Sequence, residues 1–231
     1  MNKQKPIIIY AIIPARGGSK GIPNKNLSIL DGRSLVEIGV SVCLGAKKID
    51  KVFVSTDEPN IMVEAKRFGA EIIVRPADIA GDTSASEEAL LHALDEIEKR
   101  GYDRPDVILF YQITNALTIS KDIDDACDYF VKSKADSFFT ATPFIGCLWG
   151  RQNGKMFPIY HDYTKRLRRQ EMSNCFSENG AFYLMNTDGF IKHKHRFFGN
   201  IEMFEMGTIN MYDIDDIYDL KITEFLLREY K

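Results

Sequence analysis

The stretch Pro14-Ala15-Arg16-Gly17-Gly18-Ser19-Lys20-Gly21-Ile22-Pro23-Asn24-Lys25-Asn26 follows directly on an apolar run, residues 7–15, that Arg16 ends. The run is too short to span a bilayer and lacks a small-residue cleavage site, so it reads as a buried strand. In the loop, Gly17, Gly18 and Gly21 let the backbone approach a ligand and present its N–H groups. Arg16, Lys20 and Lys25 add three positive charges. An arginine can grip phosphate oxygens in a fork, and lysines act as point charges. A strand feeding such a loop points to a triphosphate held at the carboxyl edge of an α/β sheet. The alternative is a solvated turn with incidental charges. No Gly-Lys-Ser/Thr closes the loop as in a Walker A sequence. Gly17-Gly18-Ser19-Lys20-Gly21 matches a hydrolase elbow, but Pro23 and Asn24 oppose the helix that elbow needs, so Ser19 is not read as a nucleophile.

Outward from the loop, strand-like runs alternate with helical patterns. Strands are expected at 7–14, 52–55, 71–74, 107–112 and 137–142, with helices at 34–44, 60–68, 122–133 and 216–230. Thr56-Asp57 can cap the helix at 60–68. Ser84-x-x-Glu87 reads as a capping box that opens a helix to about Lys99. The alternation predicts an α/β fold, a mostly parallel, doubly wound sheet with helices on both faces. It breaks near Pro143. Residues 143–178 have no clean period and read as an inserted arm within one domain spanning 1–231. A strand resumes at 181–184, and residues 201–215 read as further strands.

The chain has 231 residues, 45% apolar and 27% charged, enough to bury a core without metal or disulfide staples. Its net charge of −3 argues against a nucleic-acid-coating surface but not against a small polyanion in a cleft. No stretch is long and apolar enough for a membrane span. Cys43, Cys127, Cys147 and Cys175 are far apart with no Cys-x-x-Cys pair, which suits a reducing cytoplasm.

Residues 13–27 resemble the signature of the acylneuraminate cytidylyltransferases, which make CMP-activated nonulosonic acids of the sialic, legionaminic and pseudaminic type. Val54-Ser55-Thr56-Asp57, Arg75-Pro76-Ala77-Asp78, Asp82-Thr83-Ser84, Arg169-Gln170, Asn179-Gly180-Ala181-Phe182-Tyr183 and Asp213-Ile214-Asp215 resemble later motifs of that family, in order. With no long extension after Lys231, the chain is similar to the short bacterial form. The resemblance implies a Rossmann-like nucleotidyltransferase fold, transfer of CMP from CTP to a nine-carbon sugar acid, Mg²⁺, and a homodimer whose swapped arm completes the partner's site. It assigns Arg16, Gly17, Gly18, Ser19, Lys20, Lys25, Asn26, Arg75 and Ser86 to the nucleotide. Gln112, Arg169 and Tyr183 match acceptor positions, and Asp213 and Asp215 the metal motif.

The residues leave alternatives open beside each assignment. On a strand Asp213 and Asp215 would face the same way and could hold Mg²⁺, or Asp215 or Asp216 could cap the last helix. Arg75 could form a surface salt bridge, Ser86 could be a plain helix-surface residue, Arg166–Arg169 a solvated turn, and Tyr183 a core aromatic. Trp149 reads as core or as an acceptor contact, and residues 192–196 as a solvated basic loop. Where the family reads Gln-Pro-Thr-Ser-Pro-Leu-Arg, this chain has Gln112-Ile113-Thr114-Asn115-Ala116-Leu117-Thr118, so its acceptor is less well specified. An eight-carbon keto-sugar acid and a non-catalytic nucleotide binder are the rival expectations.

Overall fold

Alternate residues of the strand Ile9–Pro14 (β1) belong to two different cores, which is why the run is apolar throughout rather than alternating. The computed structural model describes residues 6–229 apart from Ser19, Lys20, Asp82, Arg166, Arg169, Gln170, Ser173 and Asn174. Ile9, Ala11 and Ile13 pack on one face with helices α1 (Leu35–Gly45), α2 (Pro59–Arg67) and α4 (Ser120–Ser133). Tyr10 and Ile12 pack on the other with α3 (Ser86–Lys99) and α5 (Thr187–His193). Each fully buried side chain such as Ile12 or Ile13 contributes roughly 1.5–3 kcal/mol.

Two short strands, Ile29–Leu30 (β2) and Arg33–Ser34 (β3), form a separate hairpin. The main sheet adds β4 (Lys51–Thr56), β5 (Glu71–Val74), β6 (Val107–Tyr111), β7 (Ser137–Phe144), β10 (Cys175–Asn186) and β11 (Ile201–Glu205) to β1. Across the sheet the order is β11-β7-β10-β6-β1-β4-β5. β1, β4, β5 and β6 are mutually parallel, and β11 is parallel to β7. β10 runs antiparallel between β6 and β7. The parallel strands therefore end together, and the loops after Pro14, Thr56 and Tyr111 share one edge.

Three local readings are corrected. The α3 helix starts at Ser86 behind Ala85, not at Ser84, and Glu87 is drawn to Arg196 instead of back to a cap. α2 is capped by Glu58, whose own N–H is held by the Thr56 hydroxyl. Of residues 201–215 only Ile201–Glu205 is a strand, and Thr208–Met211 is a short 3-10 turn. Between β7 and β10 lies a hairpin, β8 (Trp149–Gln152) with β9 (Lys155–Pro158). It carries Trp149 about half exposed, so that ring is not core.

Candidate active site

The loop after β1 is tied down at both ends. Ala15 N–H donates to the Ser55 carbonyl at 2.9 Å, and Gly17 N–H donates to Asp57 Oδ1 at 3.0 Å. Arg16 Nη1 donates to the Gly81 carbonyl at 2.9 Å, and Asn26 Nδ2 donates to the Arg16 carbonyl at 2.8 Å. Asn24 takes the left-handed conformation that lets the chain turn into the 3-10 turn Lys25–Leu27. Around Gly18 there is open space. Gly21 is needed for a close approach: a Cβ there would lie 2.1 Å from the Asp215 carbonyl oxygen. Lys25 then crosses the gap, its Nζ donating to the Ile214 carbonyl at 2.7 Å and to Asp215 Oδ1 at 3.1 Å. The cationic loop and the acidic turn, nearly 190 residues apart in sequence, are thus one wall. Ser19 and Lys20 lie outside the described residues.

Arg75 follows β5 and is buried, not a surface salt bridge. Its Nη2 donates to the Ser55 carbonyl at 2.6 Å and its Nε to Ser55 Oγ at 3.2 Å. Burial lowers its pKa, the Asp57 carboxylate opposes that shift, and Arg16 adds to it, so these three charges share one field. Ser86 is half-buried at the first position of α3, where backbone N–H groups have no helical partner.

Asp213 and Asp215 sit in irregular backbone before α6 (Ile217–Glu229), so the same-face argument for a strand does not apply. The two environments differ. Asp215 is 79% exposed and paired with Lys25. Asp213 is half-buried, and its Oδ1 is buried without a hydrogen-bond partner among the described residues. Burial raises its pKa, the nearby Thr114 side chain opposes that, and the Asp215 charge raises it further. Asp216 caps α6, with Oδ1 accepting from Tyr218 N–H at 2.7 Å and Asp219 N–H at 3.0 Å. Asp219 reaches back to the Asp215 and Asp216 amides.

The altered loop after β6 holds this segment in place. Ile214 N–H donates to the Thr114 carbonyl at 3.1 Å. Asn115 is fully buried, and its Nδ2 donates to the carbonyls of Asn179 at 3.1 Å and Asn210 at 2.8 Å. Asn179 is likewise committed inside, donating to the Asn210 carbonyl at 3.1 Å. Asn115, in this altered stretch, thus ties the β10 segment to the turn at Asn210.

Gln112 lies just beyond β6, and its N–H donates to the Ala181 carbonyl at 3.0 Å. A bulge in β10 passes through Gly180, at φ +66°. Gln112 Oε1 and Asp213 Oδ2 lie 3.3 and 3.7 Å from where a Cβ on Gly180 would be. The bulge therefore brings the acceptor candidate and the acidic candidate to one point. Tyr183 is nearly fully buried, stacks on Phe110 at 5.3 Å and donates its hydroxyl to Glu178. Burial first, then Glu178, pushes its pKa well up, so it stays a neutral hydroxyl donor. Arg169 lies outside the described residues. Sequence reading takes Glu87 only as a cap and Asn115 only as part of the altered loop, and misses Glu178 and Arg196; Arg196, in the basic run at 192–196, points inward rather than to solvent.

The Cytidylyltransferase family profile matches residues 10–229. The chain belongs to the cytidylyltransferase family. A Post-translational flagellin modification protein B of Campylobacter coli is 28% identical over 226 residues, covering 96% of this chain and 95% of that one. A pseudaminic acid cytidylyltransferase of Campylobacter jejuni is 26% identical over 94% of this chain and 95% of its own length. An N-acylneuraminate cytidylyltransferase of Oncorhynchus mykiss is 32% identical over 76% of this chain but only 40% of its own. Among solved structures, a CMP:2-keto-3-deoxy-manno-octonic acid synthetase complexed with CTP superposes with a TM-score of 0.72 at 16% identity, covering 97% and 100% of the two chains. A 4-diphosphocytidyl-2C-methyl-D-erythritol synthase of Anaerococcus prevotii gives 0.66 at 14% identity, over 96% and 97%. At such identities these two neighbours speak for the fold, the mostly parallel α/β sheet of cytidylyltransferases.

For this member of the family the acidic turn fits a hard divalent cation. Among the described residues no three His, Cys, Asp or Glu side chains form a cage. Mg²⁺ needs no such cage: it takes one or two carboxylates and completes its octahedron with water and phosphate oxygens. The unpartnered Asp213 Oδ1, beside exposed Asp215, is a donor set of that kind.

Proposed function

We propose that the chain transfers CMP from CTP to the anomeric hydroxyl of a nonulosonic acid of the sialic, legionaminic or pseudaminic type. The hydroxyl oxygen forms a bond to the α-phosphorus, the bond from that phosphorus to the bridging oxygen breaks, pyrophosphate leaves, and the hydroxyl proton passes to solvent. The observation that carries this reading is the Lys25 bridge. It sets a loop of cationic side chains and open glycine backbone directly against the carboxylate pair Asp213 and Asp215. The relatives named for pseudaminic acid and N-acylneuraminate cytidylyltransfer support the substrate class.

In this reading Arg16, Lys20 and Lys25, with the amides of Gly18 and Ser19, hold the triphosphate, and Gly17, its own amide held by Asp57, gives the backbone its close approach. Asn26 braces the loop through the Arg16 carbonyl. Arg75, fixed on β4, orients the nucleotide, and Ser86 offers the start of α3 to the base or ribose. Asp213 and Asp215 would hold Mg²⁺, which when bound neutralises phosphate charge and lowers the pKa of the attacking hydroxyl. Gln112 and Tyr183 position the acceptor, with Arg169 as a further contact. The work of these groups is alignment and charge stabilisation rather than covalent chemistry.

The same reading includes a cytoplasmic homodimer. The β8–β9 hairpin and the segment after it expose Trp149, Met156, Phe157, Ile159 and Tyr163, an apolar surface that a second copy would cover. The test is pyrophosphate release from CTP and Mg²⁺ with a panel of eight- and nine-carbon keto-sugar acids. Turnover with a nine-carbon acid is expected. Reaction with eight-carbon acids alone would replace the acceptor, and CTP binding without turnover on any acid would make the chain a binder.

A further inference from the structure

The basic run after α5 ends in a side chain that turns into the cleft wall. Arg196 Nε donates to Glu87 Oε1 at 2.7 Å, and the side chains of this pair are only 19% and 12% exposed. The guanidinium carbon lies 4.7 Å from the centre of the Tyr183 ring and 5.0 Å from that of Phe110. Those two rings are themselves stacked, 22° from parallel. Phe197, the next residue, packs edge-on against Tyr183 at 6.1 Å.

A largely buried ion pair is a poor device for stability alone, because apolar residues of similar volume serve a core as well or better. Its location gives it another use. Glu87 adjoins Ser86 at the start of α3, on the nucleotide side. Tyr183 follows the Gly180 bulge, where Gln112 and Asp213 meet, and its hydroxyl reaches back to Glu178. One planar side chain therefore touches both the first turn of α3 and the aromatic pair of β6 and β10. An ammonium group cannot do the same, since it has neither a flat face for the rings nor a forked edge for the carboxylate.

We propose that Arg196 is a positioning residue that sets acceptor selectivity, holding the Tyr183 ring against Phe110 and tying that wall to the first turn of α3 through Glu87. The proposal rests on the cytidylyl-transfer reading and adds to it a residue outside every recognised motif. It is tested by steady-state kinetics on two nine-carbon acids that differ in their ring substituents. Arg196→Lys keeps the charge and loses the plane. The pair Glu87→Gln with Arg196→Gln keeps neutrality and a hydrogen bond, so no charge is left buried alone. Both variants should raise KM for the better acid about ten-fold and bring the kcat/KM ratio of the two acids towards one. KM for CTP and the melting temperature should stay near wild type. Unchanged acceptor KM and selectivity, or a parallel loss of kcat and melting temperature at constant selectivity, would make the pair purely structural and overturn the proposal. These outcomes leave the transfer reading intact, whereas a wild-type protein that turns over no keto-sugar acid overturns both.

Discussion

The wall proposed for the nucleotide comes mostly from contiguous sequence, and the wall proposed for the acceptor does not. Residues 14–27 carry their own glycines, cations and turn, and need only β4 and the acidic segment to close round them. The acceptor side joins Gln112, Glu178, Tyr183, Glu87 and Arg196 across β6, the antiparallel β10, α3 and the segment after α5. The first wall is built within one short segment, pinned by the Ala15–Ser55 backbone bond and by the Asp57, Arg16, Asn26 and Lys25 side chains. The second joins side chains from separate elements, each of which can be exchanged on its own. Asn115 lies at the seam, bonding the β10 segment at Asn179 and the turn at Asn210 that leads to Asp213.

If the two walls meet at Asp213, removing its charge should have the largest effect. Asp213→Asn is expected to lower kcat about 10²–10³-fold while CTP affinity by calorimetry changes less than about three-fold. Equal losses in both would reduce Asp213 to a binding contact. Next comes Gly21→Ala, where the new methyl group meets the Asp215 carbonyl. Pushing the loop away by about 1 Å should cost roughly 10²-fold in kcat/KM. A Gly18→Ala control, which has open space, should leave the loop's geometry alone.

Asn115→Ala should act on stability before chemistry. It strips the Asn115 donor from the Asn179 carbonyl and leaves the Asn210 carbonyl with its bond from Asn179, at about 1–3 kcal/mol for an unsatisfied group, read as a lower melting temperature. The smallest effect is on acid stability. Burial pushes the Glu87 carboxyl up, but the Arg196 hydrogen bond and charge outweigh it and hold the pKa below the ordinary value. A group depressed in the folded state contributes stability above its unfolded pKa and loses it as pH falls through the folded one. Glu87→Gln should therefore lower stability at neutral pH and flatten the acid limb of the stability profile. An unchanged acid limb would mean that the pair does not couple to folding.

The difference between the walls also explains what could be read without coordinates. The strand–loop signature at 14–26 and the β/α alternation are local patterns, and both correspond to observed elements. The antiparallel insertion of β10 between β6 and β7 leaves no mark in periodicity, because a buried strand reads the same in either direction. Asp213 and Asp215 were found for their spacing, yet they sit in irregular backbone and owe their roles to Thr114 and Lys25, far away in sequence. The basic run at 192–196 is not the solvated loop its composition suggests: Lys192 and His193 close α5, His193 stacks on Phe198, and Arg196 turns inward. The meaning of Arg196 depends on Glu87, 109 residues earlier.

The proposed reaction requires a triphosphate between the Gly17–Lys25 loop and Asp213, with a divalent cation on the acidic side. A crystal structure with CTP and Mn²⁺ in place of Mg²⁺ tests it most directly, since the manganese anomalous signal locates the ion. The account predicts phosphate oxygens on the loop and one ion in direct contact with Asp213 Oδ1. A nucleotide bound elsewhere, or an ordered CTP in this cleft with Asp213 Oδ1 making no contact to any ion, would contradict it.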